Sequence, residues 1–429
     1  MSADEPRPGR TPSGPTLSRR TLLRTSAVGA GAVVLSSAPG AAARAAGRRG
    51  RRTRVYVLVV DGCRPGEISA ASTPRLAALR RGGLDLPQAR ALPVLETIPN
   101  HTMMMSGMRP DRTGVPANSV YDRRRQVVRE LDRPGDLRAP TVLERLDRRG
   151  LVTGTVLSKE YLVGIFGTRA THRWEPEFYI PVSDHAPDLA TTNALIDMVD
   201  VHDPDLVFTN FGDIDRFGHG DFTSESVQVG RRAALADTDR LVGRFVDHLE
   251  ETGRWRHSVL VVLADHSMDW SDPDALISLQ PVLDADPLLA GRVVIAQNGG
   301  ADLLFFTGPD RLRDEAVQRM RRLVTRTEGV LSVHSPRSLR LSPRAGDLVA
   351  YCRAGWRFSD PQPVSNPIPG NHGHPATEPI PFFVAGGHPA VPEGRSSSSP
   401  ARTVDVAPTV GGLLGLPAPR GGYDGASVL

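Results

Sequence analysis

Seven polar residues, each in a short motif at or near the end of an apolar run, could together carry out metal chemistry. They are three aspartates, three histidines and one threonine: Asp61, Thr97, Asp215, His219, Asp265, His266 and His372. Zinc binds histidine nitrogen and carboxylate oxygen in four-coordinate sites, and two such sites need about eight ligands. With substrate or water at the remaining positions, this set predicts two divalent metal ions that share one nucleophile.

The Asp265-His266 pair ends an apolar run, and a charge at that point is costly unless it is bound or solvated. A metal explains the pair better than a purely structural role does. Asp215 and His219 are four residues apart, which on a helix would place both on one face. The intervening Gly218 favours a turn instead, with both side chains directed at one ion.

The third histidine motif offers two candidate ligands, His372 and His374. Pro375 follows His374 directly, and we therefore favour His372.

Thr97 is the candidate nucleophile, and it lies just before a helix predicted to begin near Asn100. Backbone N–H groups at a helix start can hold phosphate oxygens, and a metal-bound threonine becomes a nucleophile by losing its proton. The alternative is a helix N-cap near Pro99, which would contribute about 1 kcal/mol to stability. A cap would lose stability on substitution and keep turnover.

The elements that must position these residues alternate between strand and helix. Arg54–Val60 is a near-continuous apolar run, typical of a strand buried on both faces of a parallel sheet. Similar runs, separated by helical stretches, recur at Leu151–Leu157, Leu206–Asn210 and Val259–Ala264. The sequence therefore predicts a doubly wound α/β fold with a mostly parallel sheet sandwiched by helices. Functional residues collect at the carboxyl ends of such strands, where Asp61 and Asp265 stand.

Residues 270–369 follow a different pattern, with short strands, one predicted helix at Pro309–Thr327 and many turns. This stretch separates two of the metal motifs. We interpret it as a small cap subdomain inserted into a catalytic domain that spans residues 53–429.

Composition describes a loop-rich globular enzyme, with 39% hydrophobic residues, 42 glycines and 37 prolines in 429 residues. The formal charge of +4 comes from residues 1–45, where six arginines face Asp4 and Glu5, and six minus two is +4. The rest of the chain is formally neutral, so no nucleic-acid polymer is expected as a partner. Lys159 is the only lysine.

Residues 1–45 are predicted to be a twin-arginine signal peptide. Arg19-Arg20 precedes a modestly apolar stretch, Ala27–Ala38, and residues 41–45 offer A-x-A cleavage points. The apolar stretch is too short and too glycine-rich for a stable membrane span. We expect the twin-arginine export machinery as a partner and an extracellular or cell-envelope location; the alternative is a disordered leader with a chance arginine pair.

Two cysteines, Cys63 and Cys352, cannot build a disulfide framework. The sequence favours two unpaired, buried thiols, and export would permit one bridge between them.

The chain resembles the alkaline phosphatase superfamily, and most closely its type I phosphodiesterase/nucleotide pyrophosphatase family, from about Val55 to the C-terminus. The family's five motifs occur here in order as Asp61-Gly62-Cys63-Arg64, Thr97-Ile98-Pro99-Asn100-His101, Asp215 to His219, Asp265-His266-Ser267-Met268 and Gly370-Asn371-His372-Gly373. Each motif is weak alone, and five in the right order are strong.

The resemblance implies a metal-dependent phosphodiesterase that acts on a small phosphorylated substrate through a phosphothreonine on Thr97. It implies an alkaline phosphatase-like fold and two zinc ions, one held by Asp215, His219 and His372, the other by Asp61, Asp265, His266 and Thr97. Asn118 falls where the family has an asparagine that binds a non-bridging phosphoryl oxygen.

The motifs also depart from the family pattern, at Cys63, Glu96 and Ser267. We expect Cys63 and Glu96 to border the substrate slot, so a preference for stacking a nucleotide base does not follow. A phosphomonoesterase or phosphonate hydrolase shares the same site, and a non-catalytic metal-binding recognition domain is an alternative of another class. A sulfatase is disfavoured because the segment from Cys63 to Glu67 lacks the arginine of C/S-x-P-x-R. The oligomeric state does not follow from the sequence.

Overall fold

The computed structural model describes residues 52–181, 183–223, 227–362 and 365–429. The predicted signal peptide, residues 1–45, lies outside the described residues.

An eight-stranded sheet forms the centre of the fold. Its strands are β1 (Arg54–Val60), β2 (Leu84–Asp85), β5 (Thr153–Leu157), β6 (His172–Arg173), β7 (Leu206–Phe211), β8 (Ser258–Leu263), β17 (Phe382–Ala385) and β18 (Arg395–Ser396), numbered in chain order over all strands. The spatial order is β18-β2-β17-β8-β1-β7-β5-β6. Strands β8, β1, β7, β5 and β6 are parallel, and β17 runs antiparallel to both of its neighbours. All seven residues of β1 are buried, as a strand covered on both faces requires.

Among the described residues, the α-helices are those that flank this sheet and two that lie within residues 270–369. Their bounds are α1 (Pro74–Gly82), α2 (Thr97–Ser106), α3 (Pro110–Thr113), α4 (Val142–Asp147), α5 (Glu160–Phe166), α6 (Asp188–His202), α7 (Asp213–His219), α8 (Val229–Glu251), α9 (Gln280–Asp284), α10 (Arg313–Arg326) and α11 (Val406–Leu413). The long helix α8 packs against α1, α6 and α7. The mostly parallel, helix-covered sheet confirms the predicted fold class.

A smaller, antiparallel sheet lies within residues 293–352. Its strands are β11 (Val293–Asn298), β12 (Ala301–Phe306), β13 (Val330–His334) and β14 (Leu348–Cys352), in the order β11-β12-β14-β13. Helix α10 covers this sheet, and residues such as Leu304, Met320 and Cys352 form an apolar cluster separate from the main core. The short two-stranded pairs are β3 (Ser119–Asp122) with β4 (Val127–Glu130), β9 (Asp269–Trp270) with β16 (Gly370–Asn371), and β10 (Leu276–Ile277) with β15 (Arg357–Phe358).

Within the described part of the chain, no helix has both the length and the apolar character that a membrane crossing needs. Cys63 and Cys352 are both buried and free, which agrees with the favoured prediction of two unpaired thiols.

Candidate active site

The carboxyl ends of four adjacent parallel strands, β8, β1, β7 and β5, meet at one edge of the central sheet. Asp61 follows β1 directly, and Asp265 comes two residues after β8. Asp215 lies in α7, which begins two residues after β7. Functional groups are expected at such an edge, and the sheet brings these three carboxylates together in a buried cluster.

Asp215, His219 and His372 form the first subsite. Nε2 of His219 is 3.1 Å from Nε2 of His372 and 3.4 Å from Oδ1 of Asp215. Two nitrogens bound to one tetrahedral zinc at 2.0–2.1 Å lie about 3.3 Å apart. The three ligand atoms therefore have the spacing of one metal-coordination shell.

Asp61, Asp265, His266 and Thr97 form the second subsite. Nε2 of His266 is 3.3 Å from Oδ2 of Asp265, 3.8 Å from Oδ1 of Asp61 and 3.3 Å from the Thr97 hydroxyl. The imidazoles of His266 and His372 stack with 3.7 Å between ring centres, so the two subsites are in direct contact. The structure thus brings together all seven residues that the sequence singled out.

Backbone carbonyls fix the orientation of the three imidazoles. Nδ1–H of His219 donates to Gly370 O, that of His266 to Ser267 O, and that of His372 to Leu95 O, at 2.8, 3.0 and 3.1 Å. Each Nε2 then faces the centre of the site. Metal-binding histidines characteristically donate their other ring N–H in this way.

The carboxylates supply the test of whether a metal fits. Oδ1 of Asp61, Oδ1 of Asp215 and Oδ2 of Asp265 are buried and have no hydrogen-bond partner among the described residues. Leaving a buried charged oxygen unpaired is costly. These oxygens face the histidine Nε2 atoms, so the residues present could bind divalent cations.

Electrostatics within the cluster are strongly perturbed. Burial, followed by the charge of Asp265, raises the pKa of Asp61. Burial would also raise the pKa of Asp215, but Lys159 and then His219 outweigh it and hold that pKa well below its usual range. Burial would lower the pKa of His372, but Glu96, whose Oε1 is 3.2 Å from Nδ1, raises it to about 9.

The Asp215–His219 segment corrects one prediction, because it is a helix, α7, and not a turn. Gly218 serves packing: a Cβ there would lie 2.6 Å from Nη1 of Arg231. The four-residue spacing therefore places Asp215 and His219 one helical turn apart, which is the geometry that the spacing alone suggested.

Thr97 is the first residue of α2, three positions before the predicted start of this helix, and it is 1% exposed. Glu96 is the N-cap residue and makes no capping hydrogen bond through its side chain. Oδ1 of Asn118 accepts a 2.8 Å hydrogen bond from Ile98 N, while its Nδ2 bonds to none of the described residues. His374 instead faces Asp269, 3.3 Å away, so the structure favours His372 as the ligand.

A cavity of about 560 Å³ opens over the site and is lined in part by Thr97, Asn118, His219 and His372. Glu96 lines the same cavity, as expected. Cys63 is not among the residues that line the cavity, which corrects the expectation that it borders the substrate slot. Cys63 directly follows the positive-φ turn at Gly62 and is fully buried in the main core.

Four further residues that support the site were missed in the sequence. Lys159 contacts two of the aspartates, Asn210 donates to Asp61 Oδ2 at 2.7 Å, and His101 lies 3.5 Å from Asp265. Arg231 joins the segments that carry Asp61 and Asp215. Two of the four, Lys159 and Asn210, stand at the carboxyl end of a buried strand, so the rule that identified Asp61 would also have found them.

The fold and the site together define the class first: an alkaline phosphatase-like α/β fold that carries a cluster of candidate metal ligands. The family described as type I phosphodiesterase/nucleotide pyrophosphatase matches residues 55–374. The chain belongs to this family, within the alkaline phosphatase superfamily, and the family resemblance predicted from the sequence is confirmed.

Individual proteins similar to this chain agree with the family assignment. The chain is 23% identical over 240 residues to human ectonucleotide pyrophosphatase/phosphodiesterase family member 5. The matched segment covers 54% of this chain and 48% of that protein. It therefore spans about half the length of this curated relative. The solved structure of the murine family member 5 superposes with a TM-score of 0.72 at 19% identity, covering 87% of this chain and 97% of that one. The human structure gives 0.70 at 18% identity, with the same two coverages.

Proposed function

We propose that this protein is a two-metal phosphodiesterase that cleaves small phosphodiesters by way of a phosphothreonine on Thr97. The observation that carries the proposal is the position of the Thr97 hydroxyl. It lies at the first residue of a buried helix, 3.3 Å from Nε2 of His266. Three carboxylate oxygens without a hydrogen-bond partner among the described residues, and two further imidazoles, belong to the same cluster.

The roles of the residues follow from their geometry. The residues that would hold the ions are Asp215, His219 and His372 for one, and Asp61, Asp265, His266 and Thr97 for the other.

 When bound, the two divalent ions would supply Lewis acidity to the phosphoryl group and lower the pKa of the attacking hydroxyl. Zinc suits this mixture of imidazole and carboxylate ligands.

The protein's own groups position and transfer the reacting atoms. The Thr97 hydroxyl gives up its proton and its oxygen attacks phosphorus, while the bond from phosphorus to the ester oxygen breaks and that oxygen takes up a proton to leave as an alcohol. Water then cleaves the phosphothreonine, which releases the phosphomonoester and restores the Thr97 hydroxyl. Asn118 is held by Ile98 N through its Oδ1, so its Nδ2 is available to donate to a non-bridging phosphoryl oxygen. Such a donor stabilises the charge that develops in the transition state.

The charges around the cavity favour a diester over a monoester. Apart from Glu96 and the candidate metal ligands, the charged lining side chains are four acids and one base: Glu130, Asp132, Glu160, Asp184 and Arg216. A phosphomonoester carries two negative charges near neutral pH and a diester carries one. The acidic wall therefore repels the monoester more strongly.

A nucleotide-derived diester is a reasonable first substrate. One murine structure of family member 5 is described as an inactive threonine-to-alanine variant in complex with AMP. In that protein a threonine is thus tied to activity and a nucleoside monophosphate is bound. We extend both properties to this chain as part of the proposal.

The domain and location assignments also belong to the proposal. Residues 270–369 would act as a cap, because Gln297, Asn298 and Gly299 from this stretch line the same cavity as Thr97 and Asn118. Residues 1–45 would direct export of the folded, metal-loaded enzyme to the cell envelope or beyond.

The experiment compares bis(p-nitrophenyl) phosphate with p-nitrophenyl phosphate, using enzyme loaded with zinc and enzyme treated with a chelator. We expect the diester to be cleaved at least about tenfold faster in kcat/KM, and both activities to disappear on chelation and return with zinc. Faster monoester cleavage would favour the phosphomonoesterase alternative. Stoichiometric metal binding without any turnover would favour a recognition domain.

A further inference from the structure

Lys159, the only lysine of the chain, lies directly beneath the candidate metal site. It comes two residues after strand β5, and its side chain is fully buried. Its Nζ is 2.7 Å from Oδ2 of Asp215 and 2.9 Å from Oδ2 of Asp61. One ammonium group thus contacts one carboxylate from each subsite.

The contacts of Lys159 divide the oxygens of each carboxylate between two tasks. Oδ2 of Asp61 and Oδ2 of Asp215 face the ammonium group, whereas Oδ1 of each has no hydrogen-bond partner among the described residues. The free oxygens face the imidazoles, 3.8 Å from Nε2 of His266 and 3.4 Å from Nε2 of His219. Lys159, joined at Asp61 Oδ2 by the amide of Asn210, therefore leaves Oδ1 as the oxygen that each aspartate offers to a metal ion.

The charge of Lys159 matters as much as its position. Asp61, Asp215 and Asp265 lie together, each at most 1% exposed, and their mutual repulsion opposes folding of the metal-free protein. In the described structure, Lys159 forms salt bridges with two carboxylates of this cluster, those of Asp61 and Asp215. When two divalent ions are bound, they neutralise the carboxylates themselves, and the ammonium becomes a like charge close to them.

We propose that Lys159 is a resident counter-cation of the metal site, which holds Asp61 and Asp215 in their metal-binding orientation before any ion arrives. The inference rests on the proposed two-metal site and adds to it a positioning residue shared by both subsites. It has a definite thermodynamic sign. Lys159 stabilises the metal-free protein more than the metal-loaded protein, and it therefore weakens the binding of the metal ions.

The test compares wild type with Lys159→Met, which keeps side-chain length and removes charge, and with Lys159→Arg, which keeps charge. Melting temperatures are measured with and without zinc, and zinc affinity is measured by competition with a chromophoric chelator. We expect metal-free Lys159→Met to melt at least about 4 °C below metal-free wild type. The rise on adding zinc should be larger in this variant, with zinc bound at least about tenfold more tightly.

Lys159→Arg controls for volume: its zinc affinity should stay within about threefold of wild type even if both forms melt lower. An equal or smaller zinc-induced rise in Lys159→Met, or weaker zinc binding by it, would overturn the inference. If this variant can be purified only with zinc and unfolds on chelation, the expected loss has occurred. Failure to fold even with zinc would count against the inference, because the ions should replace the missing charge.

The proposed function and this inference fail in different ways. If wild type binds no zinc and gains no stability from it, the two-metal site itself is wrong. If wild type binds zinc but Lys159→Met responds as wild type does, only the role of Lys159 is wrong.

Discussion

Replacing Arg231 by methionine should loosen two metal-ligand segments at once. Arg231 projects from helix α8 and is fully buried. Its guanidinium donates to Gly62 O at 2.7 Å and to Ile214 O at 3.0 Å, the carbonyls next to Asp61 and Asp215. It also donates to both carboxylate oxygens of Glu67 at 2.8 Å.

The magnitude follows from these contacts. Breaking a buried ion pair by removing one partner costs about 3–5 kcal/mol, and methionine retains much of the apolar contact of the side chain. We take about 4 kcal/mol. Unfolding entropy of about 2.1 cal/mol/K per residue over about 380 residues converts this loss to a fall of about 5 °C in melting temperature.

The assay is thermal unfolding of metal-loaded Arg231→Met, with zinc affinity measured in parallel. Arg240→Met on the same helix is the matched control, because its ion pair with Asp237 is exposed and such pairs contribute about 0–1 kcal/mol. We expect the Arg231 variant alone to lose both stability and zinc affinity. A melting temperature within about 1 °C of the control would refute the claim that Arg231 holds the two segments.

Two further predictions concern protonation. Because Glu96 keeps the pKa of His372 at about 9 in the metal-free protein, zinc binding at pH 7.5 should release a proton from this imidazole. The Glu96→Gln variant should release fewer protons on binding zinc. Calorimetry in buffers of different ionisation enthalpy measures the number of protons released, and equal release by the two proteins would contradict the assignment. Burial, then Asp360, raises the pKa of Asp302 well above its usual range, so its stabilising protonated form is lost as pH rises. Asp302→Asn should therefore gain melting temperature relative to wild type from about pH 4 upwards, by about 2 °C per unit of pKa elevation, and a pH-independent difference would contradict this.

The strand-end rule accounts for most of what the sequence predicted correctly. Strand β1 has the predicted bounds, Arg54–Val60, because a fully buried strand reads as an unbroken apolar run. Asp61 and Asp265 follow such runs, at positions where a charge is costly unless it is bound or solvated. Motif order then placed Thr97 and His372 in the same site, although the chain separates them by hundreds of residues.

Contacts between distant segments explain what the sequence could not predict. Gly218 suggested a turn, but the space it leaves is filled by Arg231 from another helix, and nothing local to Asp215–His219 reports that contact. Cys63 stands next to a motif residue, yet its thiol lies in the core. Lys159 was visible as the only lysine, but its two partners come from other strands.

The most direct test of the central claim replaces Thr97 by alanine and measures diester turnover at verified zinc content. Thr102→Ala is the matched control, because Thr102 is a buried threonine of the same helix whose hydroxyl donates to Pro99 O at 2.8 Å. We predict that Thr97→Ala keeps its fold and zinc and loses about 10³-fold or more in kcat, while Thr102→Ala remains active. Normal turnover by zinc-loaded Thr97→Ala would contradict the proposed mechanism.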